Sequence, residues 1–276
     1  MQLAPRYGSE PVLTLDGPPA AIAVPAIRQR RRLADTLARF SDEQWAHPSR
    51  CDGWSARDVM VHLEETNGFW MVSTMMGLTG KPTRWLATFD PATSPARTVT
   101  AARDTSTDEM LAKFIAGTES LEAQWSELND WTALGEAPPG HITISALVHH
   151  ALWDSWIHER DILLPQGIAP VVESDEVEAC LRYVSALGPA LALGHGVTQR
   201  GVFSVSTTSP DVRAVVEIGD TVHVRAGTTA TELVLTGDSI DVLEALSTRR
   251  VITQGIPAGS AWMLAGLTRT FDIAPH

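Results

Sequence analysis

Residues 149–161 read His149-His150-Ala151-Leu152-Trp153-Asp154-Ser155-Trp156-Ile157-His158-Glu159-Arg160-Asp161. They lie in a run of helical apolar spacing from about Ile142 to Leu164, stopped by Pro165 and Gly167. Helix positions four apart stack on one face about one turn apart. His150, Asp154 and His158 therefore form one line of polar groups. Two ligating side chains so spaced can grip a single divalent ion, which is why H-x-x-x-H helices bind zinc. Here the pair is Asp154 and His158.

Upstream, three more helices are expected. Apolar spacing is helical from Ile22 to Phe40, and Ser41, Asp42 and Gln44 offer a new N-cap and a short turn. Ser55 follows the Gly53–Trp54 turn as an N-cap, with Asp58 three residues on in the capping-box position. Val59, His62, Leu63, Thr66, Phe69 and Trp70 then keep helical spacing to about Met76, where Gly77 and Gly80 end the run. Residues 81–104 read as a long connection, and Thr107 or Asp108 opens a helix to about Leu128. Ala137-Pro138-Pro139-Gly140 is a sharp break. Four long helices with apolar stripes make a bundle. Eight of the nine tryptophans precede residue 160, as one large core in this half requires.

The character changes after Pro170. A helix over Glu173 to about Leu193 leads into short β-rich runs at Val202–Thr207, Ala214–Ile218, Val222–Arg225 and Glu232–Leu235. Asp238 caps a helix through Leu246, and Ala261–Thr268 reads as a last one. The fold class is α+β, with antiparallel strands. The expected division is a Pro/Gly-rich, loosely docked arm over residues 1–20, with a short strand at Val12–Leu15, a bundle over 21–168 and a smaller α+β domain over 169–276.

The formal net charge of −12 disfavours a nucleic-acid partner. Arg28, Arg30, Arg31 and Arg32 are the only dense basic run and read as a solvated helix face. Cys51 and Cys180 lack metal-site spacing and fit reduced thiols. No signal-type apolar segment or membrane-length apolar run occurs, so a cytoplasmic protein without a membrane partner is expected.

A third ligand must come from a facing helix, and His62 is the candidate, because Val59, Leu63 and Phe69 beside it face inward. Two imidazoles and one carboxylate leave coordination positions open, as in catalytic rather than structural sites. Zinc heads the ions that such a set suits, with nickel, iron and manganese close by. An interior histidine is more often a hydrogen-bonded core residue than a ligand, and spacing leaves both readings open.

Residues 51–63, Cys-Asp-Gly-Trp-Ser-Ala-Arg-Asp-Val-Met-Val-His-Leu, resemble a signature of the DinB-like superfamily, and most closely of its mycothiol-dependent maleylpyruvate isomerase branch. Trp153–Ile162 resembles that branch's second signature. The resemblance covers roughly residues 22–165. It implies a DinB-like four-helix bundle, with His62, Asp154 and His158 as metal ligands. Asp154 stands where the isomerase type has glutamate, one methylene longer. Residues 235–250 resemble the family's sterol-carrier-like α+β domain more loosely, with Thr248–Arg249 in place of a Gly-Arg ending.

The resemblance further implies a divalent metal and mycothiol, whose thiolate would add to a small electrophilic substrate in an isomerisation or S-transfer. Two rival readings stand beside it: a small-molecule-binding protein that keeps the fold without the chemistry, and a thiol-independent metalloenzyme of specialised metabolism. His150 is a candidate fourth ligand or general base, and Arg57 and Arg160 are candidates for holding substrate or cofactor anions. Cys51 is an imaginable nucleophile, although it also reads as a small buried side chain. Asp161 is expected to anchor the helix end or hydrogen-bond behind the metal, and Arg249 and Arg250 to hold an anion or cap a helix.

Overall fold

The computed structural model describes residues 3–91 and 93–271. Residues 1, 2, 92 and 272–276, which belong to the expected arm, connection and C-terminal domain, lie outside the described residues.

Four long helices form the bundle: α1 (Ala23–Leu37), α3 (Ala56–Leu78), α5 (Thr107–Ser126) and α6 (Ile144–Leu163). They pack in the cyclic order α1, α5, α3, α6, so α3 and α6 face each other along one side. Short α2 (Asp42–Ala46) precedes α3 and carries its own capping box, Ser41 with Gln44. Among the described residues no helix is long and apolar enough to cross a membrane.

Helix α7 (Ser174–Gly194) lies against α6 and carries the second half of the chain. A five-stranded sheet packs on it, in the order β1 (Leu13–Leu15), β6 (Val222–Ala226), β5 (Val212–Ile218), β4 (Gly201–Thr208), β7 (Val234–Asp238). Strand β5 shows why one face is covered: Val212, Ala214, Val216 and Ile218 are buried, while Arg213 and Glu217 alternate outward. Helices α8 (Ser239–Leu246) and α9 (Gly266–Phe271) complete this half, and Asp238 caps α8 as the sequence suggests. Trp156 of α6, Tyr183 of α7 and Phe203 of β4 belong to one continuous apolar core, which therefore runs through both halves.

Several expectations need correction. The sheet is mixed: β1 pairs with β6, and β4 with β7, in parallel. The arm is docked, because Leu3 and Leu13 are buried and β1 fills the sheet edge beside β6. The Ala137–Gly140 break is the turn of a hairpin, β2 (Leu134–Ala137) with β3 (Gly140–Thr143), and α6 therefore starts two residues later than expected. This hairpin approaches α3 so closely that a Cβ at Gly77 would lie 2.4 Å from the Leu134 carbonyl oxygen. The connection over 81–104 holds a further helix, α4 (Ser94–Ala101).

The basic run of α1 is a solvated face only in part: Arg31 is exposed and Arg28 half-exposed, but Arg30 and Arg32 are not. Arg30 is fully buried, donating to Asn67 Oδ1 (3.1 Å) and the Ala151 carbonyl (2.9 Å). Arg32 bridges the buried carboxylates of Glu159 and Glu176. Their partners lie 37–144 residues away along the chain, so a local charge count cannot find them.

Candidate metal centre

Two caps set the positions of the facing side chains. Ser55 Oγ accepts from the Asp58 amide and Asp58 Oδ2 accepts from the Ser55 amide, which pins the first turn of α3. Thr143 Oγ1 accepts from the Ala146 amide at the start of α6. With both registers fixed, His62 comes opposite Asp154 and His158. His62 Nε2 and His158 Nε2 each lie 3.7 Å from Asp154 Oδ1, and the imidazole centroids are 5.1 Å apart. One ligand atom from each residue falls within 4.8 Å of the others.

The second carboxylate oxygen, Asp154 Oδ2, is buried without a partner. Burial alone would neutralise Asp154, but His62 and His158 outweigh it and hold the carboxyl well below the usual range. The site thus keeps an anion with an unused oxygen beside two imidazoles. That donor set fits a divalent cation of zinc type.

His158 is held from behind. Its Nδ1 lies 3.0 Å from Asp161 Oδ2, so Nδ1–H donates and Nε2 is turned toward Asp154 and His62. A carboxylate behind a ligating histidine is the usual means of fixing its tautomer and raising its basicity. Burial works against the imidazolium, yet Cys51, Asp161 and Asp154 raise the His158 pKa to about 10. Asp161 is fully buried and is itself gripped by Arg50 Nε (3.0 Å) and by an Arg249 guanidinium nitrogen (2.8 Å).

A second grouping, Cys51 with His158 and Asp161, also has ligand-like spacing. Cys51 Sγ lies 3.7 Å from His158 Nδ1 and 3.3 Å from Asp161 Oδ2. A cation there would face the Arg50 and Arg249 guanidinium groups already seated on Asp161, and Coulomb repulsion disfavours it. His158 therefore offers Nε2 to one cluster and Nδ1 to the other, and only the first suits a metal.

The remaining expected site residues divide. His150 sits one turn before Asp154, 4% exposed, with Nδ1 2.6 Å from the Tyr183 hydroxyl. Arg57 is committed elsewhere: it donates to the carbonyls of Ala102 (2.6 Å), Thr105 (2.7 Å) and Arg103 (3.3 Å), closing the end of α4. Arg160 donates to Glu244 Oε1 (2.6 Å) and stacks on Trp156, tying α6 to α8. Both guanidinium groups thus already have protein acceptors. Arg250 pairs with Asp241. Both cysteines are free. Tyr183 and Arg50 stand in no local motif, and nothing in the sequence singles them out.

Burial lowers the His150 pKa to about 4. Below its ordinary value of 6.5, the unfolded chain takes up a proton on His150 that the folded chain refuses until about pH 4. Stability therefore falls with acidification across that window, by about 3 kcal/mol from this residue. Urea midpoints at pH 7, 5.5 and 4.5 on metal-free protein measure it. His150→Gln should flatten the slope, leaving the share of His149, whose pKa burial also lowers to about 4. An unchanged slope in the variant would show that His150 does not carry it.

Residues 27–163 match the family model described as the mycothiol maleylpyruvate isomerase N-terminal domain. The helical half of the chain belongs to this family. A crystal structure of the mycothiol-dependent maleylpyruvate isomerase shares the fold beyond that domain, with a TM-score of 0.60 at 12% identity over 85% of this chain and 90% of that one. A mutant of that isomerase aligns with a TM-score of 0.59 at 14% identity over the same shares of each chain. At these identities the likeness is one of fold: a DinB-like helical domain followed by a sheet domain. No curated protein matches the sequence.

Proposed function

We propose that the chain is a metal-dependent enzyme that uses a thiol, mycothiol in the first instance, to isomerise or transfer onto a small electrophilic substrate. The observation that carries this reading is the convergence of His62, Asp154 and His158, with Asp154 Oδ2 buried and unpartnered. His62 Nε2, His158 Nε2 and the Asp154 carboxylate would hold the ion, zinc first among the candidates. When bound, such an ion favours the thiolate over the thiol and polarises a carbonyl oxygen.

The protein's own side chains prepare that chemistry. Asp161 fixes the His158 ring, and Arg50 and Arg249 keep Asp161 ionised and in place. Trp54 lies with its ring centroid 5.9 Å from that of His62, and Trp70 and Trp153 flank His150, so aromatic surfaces border the polar stripe. An intact ligand set with its supporting carboxylate favours an enzyme over a binding protein that has kept only the fold.

The test is turnover of the metal-loaded chain with mycothiol, using maleylpyruvate as the first substrate and other small electrophiles after it. Isomerisation at constant thiol, or loss of thiol into an adduct, is expected only when metal and mycothiol are both present. Turnover with metal but indifferent to thiol would replace this reading with a thiol-independent metalloenzyme. Failure to bind a divalent ion would overturn metal dependence itself.

A further inference from the structure

One helical turn below the metal stripe, the bundle interior holds polar groups that the reading above does not use. Tyr183, from α7, is fully buried, and His150 Nδ1 is the sole partner of its hydroxyl among the described residues. A buried hydroxyl proton needs an acceptor. Were Nδ1 the donor, the Tyr183 proton would have none. The hydroxyl therefore donates to Nδ1, and the His150 proton sits on Nε2. This imidazole is neutral, because burial holds its pKa near 4. Its Nε2–H has no hydrogen-bond partner among the described residues and is not sealed from solvent.

A second donor stands beside it. The Trp70 ring lies 5.0 Å from that of His150 by centroid, and its buried Nε1–H has no partner either. Arg30 adds charge nearby: its guanidinium ties Asn67 on α3 to the Ala151 carbonyl on α6, and its third nitrogen is also buried and unpartnered. Two neutral donors with a buried cation close by are suited to an oxygen bearing negative charge. Leaving the sealed Trp70 donor unused costs its desolvation penalty, and the His150 donor is open to a ligand oxygen.

We propose that Tyr183 locks His150 as the Nε2–H tautomer, and that His150 and Trp70 together form an oxyanion subsite for a carboxylate or enolate oxygen of the substrate. A neutral imidazole donor can stabilise developing negative charge without surrendering its proton. The choice of an anionic substrate rests on the enzyme reading above; the tautomer does not.

Two experiments separate these parts. Nitrogen-15 NMR of histidine-labelled, metal-free protein should show His150 protonated on Nε2 alone, and Tyr183→Phe should mix the two tautomers. Proton occupancy on Nδ1 in the parent protein overturns the lock. Calorimetric titration of the zinc-loaded protein with maleate, a small dicarboxylate, reads the subsite. Trp70→Phe and His150→Phe should each weaken maleate binding about tenfold, the size of one lost hydrogen bond to a charged group. His150→Gln, which keeps a donor near the Nε2 position, should recover most of that loss, and zinc affinity should stay within about twofold throughout. Unchanged maleate affinity in both phenylalanine variants overturns the subsite while leaving the metal-enzyme reading intact. Absence of zinc binding, with the tautomer and maleate results as expected in unloaded protein, overturns that reading and leaves the subsite standing.

Discussion

His158→Ala should remove stoichiometric metal binding. The variant deletes one of three proposed ligands and also leaves Asp161 without the imidazole it orients, 3.0 Å away in the parent. Loss of an outer partner such as Asp161 alone typically weakens a metal site by about 10–100-fold. Loss of the ligand itself should exceed that, taking the affinity down by more than about a hundredfold. Metal content after dialysis against a weak competing chelator measures the effect. His62→Ala should behave alike, because its Nε2 stands at the same 3.7 Å from Asp154 Oδ1. A variant that retained a full ion would mean that the other two side chains, or a different cluster, hold it.

Asp161→Ala should cost about 3–5 kcal/mol of stability, the range for removing one partner of a buried ion pair. Asp161 is fully buried and neutralises Arg50 and Arg249, which come from opposite ends of the sequence. Without it two guanidinium groups remain partly buried and uncompensated, although Arg50 retains Glu244 at 3.2 Å. Metal affinity should fall with stability, by the 10–100-fold typical of the supporting carboxylate. Urea unfolding at pH 7 and zinc titration read the two losses separately. A loss below about 1 kcal/mol would show that the arginines find other partners or solvent, and that Asp161 is not the clasp between the helical half and the 249 region.

Short-range signals made much of the helical half legible. The Ser55–Asp58 capping box announced α3 at the correct residue, and four-residue spacing on α6 aligned Asp154 with His158. Facing apolar stripes then indicated His62. What stayed hidden depends on long-range pairing. Arg30 reads as a surface cation until Asn67 and the Ala151 carbonyl close around it. The Tyr183 hydroxyl meets His150 across the junction of the two halves, 33 residues apart. Asp161 and Arg249 are 88 residues apart. Pro138–Pro139 reads as a breaker because each strand of the hairpin it joins has only four residues, too few to show a period. The parallel pairing of β1 with β6 brings together Leu13 and Val222, far apart in the chain, and no local alternation encodes that register.

X-ray absorption at the zinc edge of the loaded, thiol-free protein tests the proposed centre most directly. One zinc per chain is expected, surrounded by nitrogen and oxygen donors at about 2.0–2.2 Å, with the multiple-scattering pattern of two imidazoles and no sulfur. A sulfur scatterer at about 2.3 Å would place the ion on Cys51 instead, and with less than one zinc per chain the convergence of His62, Asp154 and His158 would lose its functional meaning.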